Sequence, residues 1–127
     1  MAYLVDTNIV ALAIRGRQQQ SELLRRLLEP GETLACSVIT VSEIYAGMRS
    51  HERQRTEELF NQMELYDINE EIARYAGLLK NEWASKGQTV TLADAMIAAT
   101  AIANRLVLVA DNRKDFPMPE LKLYPAL

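Results

Sequence analysis

The chain has 127 residues, of which 49% are hydrophobic and 24% charged. That balance excludes disordered and fibrous classes and suits one domain over 1–127, large enough to bury a core without cross-links. Seventeen acids against fourteen bases leave a formal charge of −3, which excludes attachment to nucleic acid by net charge alone but permits a local basic rim.

Tyr3-Leu4-Val5 reads as a buried strand that Asp6 ends, and Thr7 to Ile14 reads as a short helix. Ser21 to Glu29 carries Leu23, Leu24, Leu27 and Leu28 at helical spacing, and Pro30-Gly31 stops it. Thr33 to Val38 is a second strand. Helices are expected over Thr40 to Ser50 and Glu52 to Met63, then a third strand over Leu65 to Ile68. Asn69 to Lys86 has Ile72, Tyr75, Ala76, Leu79 and Trp83 on one face, and Gly87 suits its stop. Thr91 to Asn104 is alanine-rich enough to be a helix buried on most sides. Leu106 to Val109 is a central strand and Leu121 to Tyr124 an outer one. Strands alternating with helices predict an α/β sandwich with a mainly parallel sheet, whose ligand crevice lies at the carboxyl ends of the strands.

Cys36 is the only cysteine, so no internal disulfide framework can form, and an intracellular setting with a buried thiol follows. The longest nearly apolar run, Ala95 to Ala103, falls well short of the roughly twenty residues that cross a bilayer. Met1 to Asp6 lacks the basic and long apolar parts of a signal peptide. A soluble, cytoplasmic protein is expected.

Acids gather where the fold would put its crevice. Asp6 follows the first strand, and Asp111 and Asp115 follow the strand at Leu106 to Val109. Glu43 and Asp94 each fall in the first turn of an expected helix. Each acid also has a plain structural reading. Thr40-Val41-Ser42-Glu43 and Thr91-Leu92-Ala93-Asp94 have capping-box spacing, and Asp6 can cap the helix after it. The apolar flanks, Leu4-Val5, Ile44-Tyr45 and Ala95-Met96-Ile97, point to semi-buried carboxylates, which are costly alone. Two carboxylates about 6 Å apart repel by roughly 3 kcal/mol at an effective dielectric near 20. Such a cluster needs protons or a divalent cation. With oxygen donors only, hard Mg²⁺ or Mn²⁺ is favoured, and such a site suits phosphoryl chemistry. His51, the one histidine, lies in the polar stretch 49–53 and reads as solvated.

Four stretches carry a family resemblance: Tyr3 to Asn8, Ser37 to Gly47, Leu92 to Ala101 and Leu106 to Phe116. In this order they resemble the PIN-domain ribonucleases, specifically the VapC-type toxins of toxin–antitoxin pairs. The resemblance implies a PIN-like three-layer α/β/α sandwich with a mainly parallel sheet. Asp6, Glu43 and Asp94 match the family's metal-site acids. For a fourth position Asn112 and Asp115 match best, with Asp111 a shifted possibility. Ala110 stands where many members have threonine. Thr7 and Asn8 match residues that support the first acid. The resemblance further implies a Mg²⁺- or Mn²⁺-dependent endoribonuclease acting on single-stranded RNA or a loop, a homodimer, and a cognate antitoxin. Arg15, Arg17 and Arg49 are the substrate-contact candidates, with Arg25, Arg26, Arg53 and Arg55 as further basic residues.

Other classes fit less well. A phosphoacceptor signalling domain wants an acid pair after its first strand, and a haloacid-type phosphatase wants an aspartate where Asn8 stands. The main alternative is a catalytically degenerate PIN-fold binding module, which Ala110 favours and the intact Asp6, Glu43 and Asp94 oppose.

Overall fold

Five short strands pair in parallel in the order β3-β2-β1-β4-β5 in a computed structural model that describes residues 1–124. The chain runs β1 (Ala2–Val5), α1 (Thr7–Ile14), α2 (Gln18–Leu27), β2 (Thr33–Ser37), α3 (Val38–Gly47), α4 (Arg53–Asn61), β3 (Glu64–Tyr66), α5 (Glu70–Ser85), α6 (Leu92–Ala103), β4 (Val107–Val109) and β5 (Lys122–Leu123). Single 3₁₀ turns lie at Ser50–Glu52 and Arg113–Asp115. The expected α/β/α sandwich is present, and its sheet is parallel at every described pairing.

Two-residue alternation along the strands divides the core into two layers. Leu4, Ala35 and Leu108 face α5 and α6, where Ile72, Ala76, Leu79, Ile97 and Ala98 cover them. Val5, Leu34, Cys36 and Val109 face the other side, where Ile9, Val10, Leu24, Leu27, Ile44 and Phe60 cover them. Burial pushes the Cys36 thiol up to about 12, so it serves as a small apolar residue. The sheet builds outward from β1 in both directions, and its order switches between β1 and β4. Register places Val5 opposite Val109, so the residues that leave those two strands emerge side by side.

Helix boundaries differ from expectation where a polar stretch continues a helix. The helix expected from Ser21 begins at Gln18, because Gly16, in the left-handed region at φ +80°, ends α1 and frees the glutamines to form the first turn of α2. The second helix of that half begins at Arg53, after the 3₁₀ turn. Among the described residues no helix is long and apolar enough to cross a membrane.

Helix α6 lies between the sheet and α5 because its inner positions are small: Ala95, Ala98, Ala99 and Ala101 are wholly buried. A larger side chain there has no space. Ala98→Leu should destabilise the fold by about 1–3 kcal/mol in urea unfolding. An unchanged midpoint would mean that α6 packs less tightly than its alanines suggest.

Candidate active site

The site is built around the first residue after β1. Asp6 is the N-cap of α1: its Oδ1 accepts the Ile9 N–H at 3.1 Å. Its Oδ2 accepts the Asp111 N–H at 3.4 Å, just past the end of β4. The cap reading of Asp6 is therefore correct, yet it does not account for the burial. The residue is only 4% exposed. Burial pushes its carboxyl up to about 6; the two backbone N–H groups oppose the shift, and the Asp111 and Asp94 carboxylates add to it.

Asp94 sits half-buried in the first turn of α6, with its N–H bonded to the Thr91 hydroxyl oxygen at 3.1 Å. Its carboxyl is also held above the ordinary range, first by burial and then by the charges of Asp115 and Glu43; the Thr91 hydroxyl works the other way. Those influences link Asp6 to Asp94 and Asp111, and Asp94 to Asp115 and Glu43. The five acids are thus near enough to feel one another's charge, and Asp6, Asp94 and Asp111 lie next to strand ends or a helix start at the carboxyl edge of the sheet. They do not close on one point: among the described residues, no three His, Cys, Asp or Glu side chains are grouped to hold a metal ion.

Glu43 is positioned differently from the sequence expectation. Ser37, not Thr40, caps α3, its oxygen accepting the Ile39 N–H at 3.2 Å. The helix therefore starts at Val38, and Glu43 lies in its second turn on an exposed face. Thr40, read as a cap, is instead inside the helix and wholly buried. Its hydroxyl oxygen lies 3.0 Å from that of Thr7. The Thr7 hydroxyl donates to Glu43 Oε1 at 2.7 Å. A hydroxyl has one proton, so Thr40 donates to Thr7 and Thr7 donates to Glu43. Thr40 is the supporting residue that sequence reasoning missed. Its signal was a second cap former, Ser37, three residues earlier at the strand end.

The remaining predicted positions separate. Asn8 is exposed and makes no side-chain hydrogen bond among the described residues. Asn112 caps the 3₁₀ turn through the Lys114 N–H at 3.2 Å and donates to Asp115 Oδ1 at 3.5 Å. Asp111 is tied to Asp6 through its backbone, whereas the Asp115 charge acts on Asp94. Arg15, Arg17 and Arg49 line one hollow of about 430 Å³ with His51, Glu52 and Arg55. The donor set at the acids is all oxygen, and two of its carboxyls sit where their negative charge is uncompensated. It fits a hard divalent cation, which takes one or two carboxylates and keeps waters for its other positions.

The family model described as "PIN domain" matches residues 3–118. The chain belongs to the PIN domain family. Ribonuclease VapC19 of Mycobacterium tuberculosis is 34% identical over 120 residues, 94% of this PIN chain and 96% of that protein. Among solved structures, VapBC2 from Rickettsia felis bound to a DNA fragment from their promoter superposes with a TM-score of 0.81 and 29% identity over 98% of each chain. A toxin–antitoxin complex from Klebsiella pneumoniae gives 0.77 and 31% identity over 94% of each.

Two predictions rest on this geometry. Asp6 binds a proton more tightly folded, at about 6, than at its ordinary value of 3.8. Between those values the folded state holds the extra proton, so this group's contribution falls as pH rises. Without divalent ions, Asp6→Asn, which keeps a capping oxygen, should raise the melting temperature at pH 7.5 and lose that advantage below pH 4. A melting temperature lowered at pH 7.5 would refute the reading. Thr40→Val keeps the shape and removes the hydroxyl. It should weaken Mn²⁺ binding about 10- to 100-fold by titration calorimetry, with Thr40→Ser restoring most of it. Equal affinities for all three proteins would leave the hydroxyl relay without a role.

Proposed function

We infer that this PIN-domain chain is an endoribonuclease and the toxin partner of a cognate antitoxin, as its VapC relatives and the toxin–antitoxin neighbours support. The observation that carries the chemistry is the buried Asp6 carboxylate, set beside Asp94 and Asp111 at the switch point of the sheet. We assign Asp6, Glu43 and Asp94 to hold Mg²⁺ or Mn²⁺, with Asp115, whose charge acts on Asp94, as the fourth acid. When bound, the ion supplies a water of lowered pKa and neutralises charge on phosphate oxygens.

The chain's own residues prepare that event. Two backbone N–H groups fix both oxygens of Asp6, so its lone pairs point in set directions. The Thr40–Thr7 relay holds Glu43, an exposed side chain that otherwise samples several rotamers. Thr91 fixes the start of α6 and with it the first-turn position of Asp94. Asp6 is buried and Asp94 half-buried, which lowers the effective dielectric at these two carboxylates. A homodimer, a single domain over 1–127 and a cytoplasmic setting belong to the same proposal.

The competing reading is a PIN fold that binds without cutting. In its favour, the acids are not grouped tightly enough to hold an ion as they stand. Against it, Ala110 lies in the apolar core and not in the crevice, so the missing threonine takes no ligand away. Cleavage of labelled single-stranded RNA decides between them. The wild-type protein with Mn²⁺ should cut, and Asp94→Asn should fold and not cut. Mn²⁺ at a hundredfold excess over its Kd should stabilise the wild type by about 2.7 kcal/mol, read as a rise in melting temperature. Cutting that persists in the variant or in excess chelator removes the metal mechanism. A well-folded wild type that cuts no RNA gives the binding-only reading the advantage.

A further inference from the structure

Beside the acid crevice lies a hollow of opposite charge. Arg15, Arg17, Arg49 and Arg55 line it with His51 and Glu52. Among the described residues none of these four arginines is in an ion pair. One carboxylate stands among them. Glu52 is buried, its Oε1 accepts the Arg49 N–H at 3.0 Å, and its carbonyl accepts the Thr56 hydroxyl at 2.8 Å. The Arg49 N–H holds the Glu52 carboxyl below the ordinary range against the effect of burial, and His51, Arg49 and Arg15 add to the lowering. Glu52 is thus ionised and fixes the turn that presents Arg49, but its one negative charge against four guanidiniums leaves three positive charges in excess.

The hollow has a built frame. Arg55 Nη1 donates to the Ile14 carbonyl at 2.7 Å and so clamps the end of α1. Gly16 then turns the chain in the left-handed region, which places Arg15 and Arg17 on either side of the turn. A smaller cavity of about 70 Å³ shares Ile14, Arg15 and Glu52 with this hollow and reaches Thr7 and Glu43 at its other end. Glu43, one of the site acids, and the guanidiniums therefore lie along adjoining hollows. A ligand satisfying both must carry negative charges in series, one bridged to the acids by a metal ion and another on the arginines. The polyphosphate backbone of a nucleic acid has that form, and guanidinium forks match phosphate oxygens in pairs.

We propose that the hollow seats a backbone phosphate of the RNA strand, away from the bond that is cut. This rests on the ribonuclease reading above. Arg15, Arg17 and Arg49 contact the phosphate, while Glu52 and Arg55 position them.

The test is binding of a fluorescein-labelled single-stranded RNA, long enough to span both pockets, measured by anisotropy in excess chelator. Arg17→Gln with Arg49→Gln should weaken binding at least about tenfold and reduce the slope of log affinity against log salt by about 0.7, the value for one phosphate of a single strand. The corresponding double lysine variant keeps the charge and should retain the slope while binding more weakly. Arg26→Gln, on the exposed side of α2, should match the wild type. With Mn²⁺ the glutamine variant should cut with a raised KM and a largely kept kcat. Unchanged affinity and slope in a folded double variant would overturn the proposal. So would unchanged RNA affinity with weakened binding of the antitoxin, since the hollow would then serve an acidic protein segment. A wild type that neither binds nor cuts any RNA sinks the ribonuclease reading itself, whereas a wild type that cuts alongside an unaltered variant sinks only the phosphate seat.

Discussion

A carboxylate buried at the seam between β1 and β4 sets the terms for everything around it. Strand β1 has neighbours on both edges and helices on both faces, so the residue that leaves it is desolvated by the fold itself. Asp6 occupies that place and is held by two backbone N–H groups, one from α1 and one from the chain leaving β4. Two N–H dipoles offset part of the desolvation of an ionised carboxylate but not all of it, and burial leaves the Asp6 carboxyl raised. The parallel sheet brings further acids to the same edge, which worsens the imbalance. A cation at this edge would relieve the imbalance.

The basic hollow completes the electrostatic pattern. Arg15 borders both the hollow and the narrow cavity that reaches Glu43. Opposite charges this close would cancel if their side chains met. The cavity that joins them is lined by Ala11, Ile14, Ile44, Gly47 and Met48 as well as by Thr7 and Thr56. Glu52 draws on the positive side locally, and the Thr7 hydroxyl draws on Glu43. Among the described residues Glu43 makes no ion pair with these arginines. A net charge of −3 conceals this separation, because composition averages over it.

Periodicity made the layers legible. The apolar runs at 3–5 and 106–109 could only be covered strands, and the alanines of α6 announced a helix pressed between neighbours. Asp6 and Asp94 were legible as well, because a residue that ends a strand or opens a helix has its place set by local rules. Glu43 was harder. Ser37 and Thr40 are both cap formers, and the choice fell to Ser37 because it ends β2 and is already extended at ψ 151°. That shift moved Glu43 by a turn and turned Thr40 from a cap into a buried donor. The Thr7–Glu43 and Arg55–Ile14 bonds join residues far apart in the chain. No local pattern contains such a pairing, so Arg55 and Glu52 stood in the sequence as ordinary members of a polar helix.

Ala110 shows why a departure from a family pattern has to be judged in three dimensions. A hydroxyl expected there and absent suggests a damaged site. Yet the side chain is 1% exposed and packs with Phe116 and Met118 on the α5–α6 side of the sheet. A threonine at that place would bury a hydroxyl among apolar neighbours and would need a partner to avoid an unsatisfied group. Alanine avoids that requirement, and the Asp111 N–H reaches Asp6 beside it. The contact at this corner comes from the Asp111 backbone N–H and does not depend on the side chain at position 110. Loss of the threonine therefore bears on packing behind the crevice, while the acids in front keep their arrangement.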